Sequence, residues 1–203
     1  MAGIGLYGVY YSKATLTDGV LTAYSGVQTM GKAISATFEP VDVDDNPLYA
    51  NNAIAETDAQ SGAGGTLTLT LDRLTAAAQA DLFGLTSKTE TVVISGETET
   101  GTGFDFTGTE SANPVGVAFI RSKQESQDRN IHEAVIFSYC TFTASSEEYQ
   151  TLGESVDWQT PELEATVSGG AVTGALPWKK SFTFDSQTAA ETFITEYFAA
   201  PTP

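Results

Sequence analysis

A chain of 203 residues with nine Lys and Arg against 26 Asp and Glu carries a formal net charge of −17. It is long enough for one domain that folds around its own core without disulfide or metal, and a surface of that sign repels nucleic acid and anionic membranes, which excludes a DNA-gripping role. The single Cys140 rules out an internal disulfide and, set in AVIFSYCTF, reads as a small buried hydrophobe. The opening MAGIGLYGVYYSK has neither a basic leader nor a long apolar core, so no signal peptide is expected. No run approaches the roughly eighteen apolar residues of a membrane span.

In chain order, period-two alternation marks strands at residues 5–12, 20–24 and 33–39. In the last of these (AISATFE), Ile34, Ala36 and Phe38 share one face. A polar stretch follows, VDVDDNPLYANNAIAETD, without a visible helix or strand. It lies in a long loop spanning residues 41–65. Asp42, Asp44 and Asn46 stand at positions 1, 3 and 5 of a calcium loop, but position 6 is Pro47 instead of glycine and position 12 is Ala53 instead of glutamate. The residues therefore predict a solvated turn, with no metal. Leu48, Tyr49 and Ile54 have no alternating or helical partner inside this loop, so their burial requires another surface. A structureless loop of this length in a compact domain implies a purpose.

TLTLTL, residues 66–71, is the cleanest strand, with Leu67, Leu69 and Leu71 inward. A short helix is predicted over 75–83 (TAAAQADLF), with Thr75 as N-cap and Gly84 as C-terminal stop. Further strands are expected at 91–95, 115–122, 133–144, 162–167 and 181–184. A second helix over 188–198 opens with a Thr188 to Glu191 capping box and pairs Phe193 with Tyr197 and Ile194 with Phe198. Residues 199–203 are expected to fray. The result is one β-rich α+β domain over 1–203, a sandwich or barrel-like body with one or two flanking helices.

Chemistry is hard to place on this frame. His132 and Cys140 lie eight residues apart on one predicted strand, about 27 Å when extended, too far for a catalytic pair. SGAGGT (61–66) and GTG (101–103) do not continue into a phosphate loop. Glu97/Glu99 and Glu162/Glu164 share strand faces, the pattern of a solvated face more than of a hydrolase acid pair. Lys179-Lys180 is too small a basic patch for nucleic acid. No cofactor is expected, and the chain does not read as an enzyme. A second reading, a carbohydrate-binding or adhesin-like module, rests on Trp158, Trp178 and the Tyr7/Tyr10/Tyr11 cluster, residue types that in alternating strands serve packing more often.

Three stretches together resemble one family, the major tail proteins that build the tail tube of long-tailed bacteriophages. They are NPLYANNAIAET (46–57), NPVGVAFIRSKQESQDRNIHEAVIFSYCTFT (113–143) and EEYQTLGESVDWQTPELEATV (147–167). They occur in the family's order, covering most of the chain from about Ile4 to Val167. This sequence departs from the family at Tyr49-Ala50-Asn51, where Tyr-Ala-Asp is usual, and Glu56 is displaced. The resemblance implies two packed β-sheets with a flanking helix, and hexameric rings stacked into a hollow tube. Its other implied partners are the tape measure, tail terminator and distal tail proteins, with viral DNA passing through the lumen unbound. It places the protein in the virion tail, assembled in the bacterial cytoplasm. It also implies that the long loop, through Asn46, Leu48, Tyr49, Asn51, Asn52, Ile54 and Glu56, reaches a neighbouring subunit.

Overall fold

The computed structural model describes residues 3–41, 46–50, 53–58, 62–126, 129–143, 151 and 159–200. Its first strands are β1 (Gly3–Thr17), β2 (Val20–Tyr24), β3 (Gln28–Gly31), β4 (Ala33–Pro40), β5 (Asn46–Ala50), β6 (Ala53–Asp58) and β7 (Gly64–Leu71). Helix α1 (Ala76–Phe83) is followed by β8 (Ser87–Ile94), β9 (Glu97–Phe104), β10 (Pro114–Ser126) and β11 (Arg129–Phe142). The chain then forms β12 (Glu162–Ser168), β13 (Lys179–Phe184) and α2 (Gln187–Ala199). This is the β-rich α+β class that the alternation predicts.

The main sheet runs β2-β1-β10-β11-β12-β7-β4, with β3 also on β1 and β13 also on β11. Its two layers are halves of one continuous sheet. The segment that bends it closed is β3–β4, because β3 pairs with β1 at one end of the path while β4, one residue later, pairs with β7 at the other. Asp72 holds the bend from across the gap: its Oδ1 accepts from the Lys32 amide at 2.8 Å, and its own amide donates to the Lys32 carbonyl at 2.9 Å. Gly31 permits this approach, since a Cβ there would lie 2.2 Å from the Arg73 carbonyl oxygen.

Inside the curl, Leu67, Leu69 and Leu71 of β7 and Leu163, Ala165 and Val167 of β12 pack with Val9, Tyr11, Val115, Val117, Phe119, Val135 and Phe137. The predicted alternation of TLTLTL holds, and each of the three leucines is fully buried. Cys140 joins the same core, and burial pushes its thiol well above the ordinary value. Ile34 departs from expectation. A register irregularity between Ala33 and Ser35 breaks the alternation there, and Ile34 is 53 % exposed while Ala36 and Phe38 pack inward.

Helix α1 begins and ends where its caps predict. Thr75 Oγ1 accepts from the Ala78 amide, and Gly84 adopts the left-handed φ of 66° that stops the helix. Ala78 and Leu82 complete the inner core. Helix α2 covers the opposite face of β10 and β11, where Ala190, Ile194 and Phe198 meet Ala118, Ile120, Ala134 and Ile136. Its N-cap is Ser186, whose Oγ accepts from the Ala189 amide, in place of the predicted Thr188. Glu191, assigned to the capping box, instead accepts from Gln187 and Tyr10. The helix ends at Ala199, and residues 201–203 of the segment expected to fray lie outside the described residues.

Both faces of β10 are thus covered, and Val115–Ile120 are all buried. Gly116 lies beneath α2, where a Cβ would stand 2.4 Å from Phe198 Cε1 and 2.8 Å from Tyr24 Cε1. Gly116→Ala should therefore push α2 outward and lower stability by about 1–3 kcal/mol in urea unfolding. A neutral result would show that the helix yields freely.

Candidate assembly surface

The stretch expected to be a long irregular loop carries a β-hairpin. β5 and β6 form a two-stranded sheet of their own, with Asn46 opposite Asp58, Leu48 opposite Glu56 and Tyr49 opposite Ile54. Asn51 and Asn52, and the calcium-position residues Asp42 and Asp44, fall outside the described residues. Strand propensity was present in LYA and AIAET, but the flanking Asp and Asn clusters obscured it. The hairpin is an excursion from the body: β4 and β7 pair directly up to Pro40–Gly65, and the Val41 amide donates to the Gly64 carbonyl at 3.1 Å.

A second excursion escaped the sequence reading except for its apolar end. β8 and β9 pair only with each other, and apart from Phe104 at its base every residue of the ribbon is exposed. Its two-residue turn has positive φ at both positions, 54° at Ser95 and 90° at Gly96, matching the twist of a tight hairpin. Register places Glu90, Val92, Ile94, Glu97 and Glu99 on one face, and Val93 among Thr91, Thr98 and Thr100 on the other. Val92, Val93 and Ile94 are 55 %, 70 % and 55 % exposed. The signal for this ribbon lay in its β-branched composition (TETVVIS, ETETGTGF), but with so few apolar residues it offered no alternation to detect.

The residues considered for chemistry are distributed as structural elements. Ser122 Oγ and His132 Nδ1 lie 2.8 Å apart as direct cross-strand neighbours, with Ser122 buried. Glu162 and Glu164 alternate with buried Leu163 and Ala165 on an exposed face. Among the described residues no group of three His, Cys, Asp or Glu could hold a metal. Of the aromatics named for a binding platform, those among the described residues are dispersed. Tyr11 is buried and donates to Asp81 at 2.9 Å, Tyr10 donates to Glu191, and Trp178, half-buried, packs with Phe38 against the inner core. Tyr7 stands edge-on to His132, and Trp158 lies outside the described residues.

Most cations are held by this chain's own acids. Lys13 pairs with Asp81 at 3.1 Å and Arg129 with Glu125 and Asp185. Arg121, Lys123 and Ser181 converge on Glu133, which is nearly buried. Among the described residues Lys32, Lys179 and Lys180 have no carboxylate at ion-pair distance; Lys179 sits over the Phe38 ring and Lys180 over Tyr197.

A comparison of the chain with known protein families and with curated proteins finds no match in either.

The Glu133 cluster sets a pH dependence. Burial alone, the largest single influence, raises its carboxyl, but the hydrogen bonds from Arg121, Lys123 and Ser181 together outweigh it and hold the group at about 2, below the ordinary 4.5. A carboxyl depressed on folding contributes stability above its unfolded value and loses it as pH falls toward the folded one. Glu133→Gln should cost about 1–2 kcal/mol at neutral pH, after discounting for solvent screening around Arg121. The difference from the parent chain should shrink between about pH 4.5 and 2 in urea titrations. A gap that stays constant over that range would show that Glu133 is not ionised in the fold.

Proposed function

We propose that this chain is a structural subunit of a bacteriophage tail tube, stacking as hexameric rings whose lumen passes viral DNA without binding it. The observation that carries the reading is the β5–β6 excursion. It bears Leu48, Tyr49 and Ile54 on a ribbon that leaves a body already closed by the β4–β7 pairing. The backbone pairing of the body closes without this ribbon, which suits a role for it between subunits. Three stretches in the order of the tail tube family, including the ribbon itself, support the same reading. The net charge of −17 suits a wall along which a polyanion slides. Partners would be further copies of the chain and the tape measure, tail terminator and distal tail proteins, in the virion tail.

Replacing residues 46–58 by a short Gly-Ser turn tests this. Shortening a surface excursion changes closure entropy little, so the variant should fold and melt within a few degrees of the parent chain. Leu48, Tyr49 and Ile54 would each contribute about 1.5–3 kcal/mol if buried by a neighbour, so electron microscopy should show rings or tubes for the parent chain at high concentration and none for the variant. Tubes from the variant would remove the ribbon from assembly. An unfolded variant would mean that it packs on its own domain.

A further inference from the structure

We infer that the β8–β9 hairpin docks on a second copy of this chain, against the open edge of β13 and the α2-facing side of that strand. Resting on the self-assembly proposed above, this adds a contact that the β5–β6 ribbon does not supply. An isolated two-stranded ribbon is marginal in water, and this one exposes aliphatic residues on both faces of its tip, so no arrangement of the ribbon alone covers them. The face bearing Val92 and Ile94 also carries Glu90, Glu97 and Glu99. In a chain of net charge −17, most surfaces of another copy repel such a face.

Among the described residues the β13 edge offers two neighbouring cations. Its strand pairs only with β11 among the described residues, on one side, which leaves the other row of backbone groups without a partner strand. It begins with Lys179 and Lys180, two of the cations with no carboxylate at ion-pair distance among the described residues. Lys180, over Tyr197, lies on the α2 side, while Lys179, over Phe38 and Phe137, lies on the other; beyond Lys180 on the α2 side stands Phe182, 50 % exposed and tilted against Phe193 at 5.1 Å. Lysine followed by an exposed aromatic complements glutamate followed by aliphatic residues, and the open edge can accept the ribbon as an added strand.

Charge reversal in the full-length chain tests the contact. Glu97→Lys with Glu99→Lys, or Lys179→Glu with Lys180→Glu, should each weaken self-association about tenfold or more by sedimentation equilibrium. Mixing the two reversed chains should restore mixed association. All four side chains are at least partly exposed, so circular dichroism should show both variants folded. As a second measurement, a chain carrying Ile94→Cys mixed under oxidation with one carrying Phe182→Cys should form a covalent heterodimer, which the buried Cys140 does not confound. If the parent chain associates and both reversed variants associate equally well, or mixing fails to restore association, the inference is overturned while self-assembly stands. If the parent chain is monomeric at every concentration, self-assembly falls and this contact with it.

Discussion

The antiparallel pairing of β10 with β11 is the contact on which every other part of the body depends. It runs from Pro114–Thr141 to Ser126–Arg129, and each strand lends its other edge to a further element. β10 carries β1, while β11 carries β12 along its C-terminal end and β13 along its N-terminal half. One face of the pair supplies Val115, Val117, Phe119, Val135 and Phe137 to the inner core, and the other supplies Ala118, Ile120, Ala134 and Ile136 to α2. Ser138 fastens the outer layer where β12 and β13 diverge. Its hydroxyl donates to the Pro177 carbonyl at 2.6 Å and meets Tyr197 Oη at 2.8 Å, and its carbonyl accepts from Tyr24 at 2.7 Å. A buried hydroxyl with this many partners fixes α2 in one position more firmly than apolar contact alone.

Curling the sheet folds its inner face around one apolar core, and α2 covers the outer face of β10 and β11 to form a second. The two ribbons are the exceptions to an economical fold, and the β8–β9 ribbon contributes no residue to the inner or outer core clusters. Their common feature is backbone that pairs only within the ribbon, joined to a body whose hydrogen bonding closes beneath β5–β6 without it. Ribbons of this kind are costly to keep in an isolated molecule and useful in an assembled one.

Legibility in the sequence followed how each segment is buried. β7 and β12 bury one face and alternate visibly, and α1 announces both its ends through Thr75 and Gly84. The β10 run VGVAFI shows no alternation because both its faces are covered, so its strand character came from β-branched content and its two layers could not be told apart. β3 is four residues long and holds only Met30 as an apolar anchor, below what a pattern can reveal. Ile34 was misplaced because an irregular pairing, which leaves no mark in composition, shifts the face it presents. The Ser186 cap was overlooked because Thr188 and Glu191 offered the commoner spacing two residues later. Of the candidate site, the apolar residues of the 46–58 ribbon were legible, while the β8–β9 ribbon was hidden by its polarity.

The topology also governs the order in which the chain can fold as it is synthesised. β1 finds its long partner only when β10 exists, with Lys13 opposite Val115, and β11 waits for β12 and β13. Until then the nascent chain can close only the pairings within its first half, β1–β2, β1–β3, β4–β7, β5–β6 and β8–β9, and the inward residues of β1 and β7 lack the β10, β11 and β12 side chains that cover them while neighbouring copies are being made. Slow, non-local pairing of this kind exposes a chain to premature strand exchange. Acids outnumber bases in the unfinished chain as in the finished one, and mutual repulsion between nascent copies opposes contact of their unpaired strands until β10 and β11 arrive.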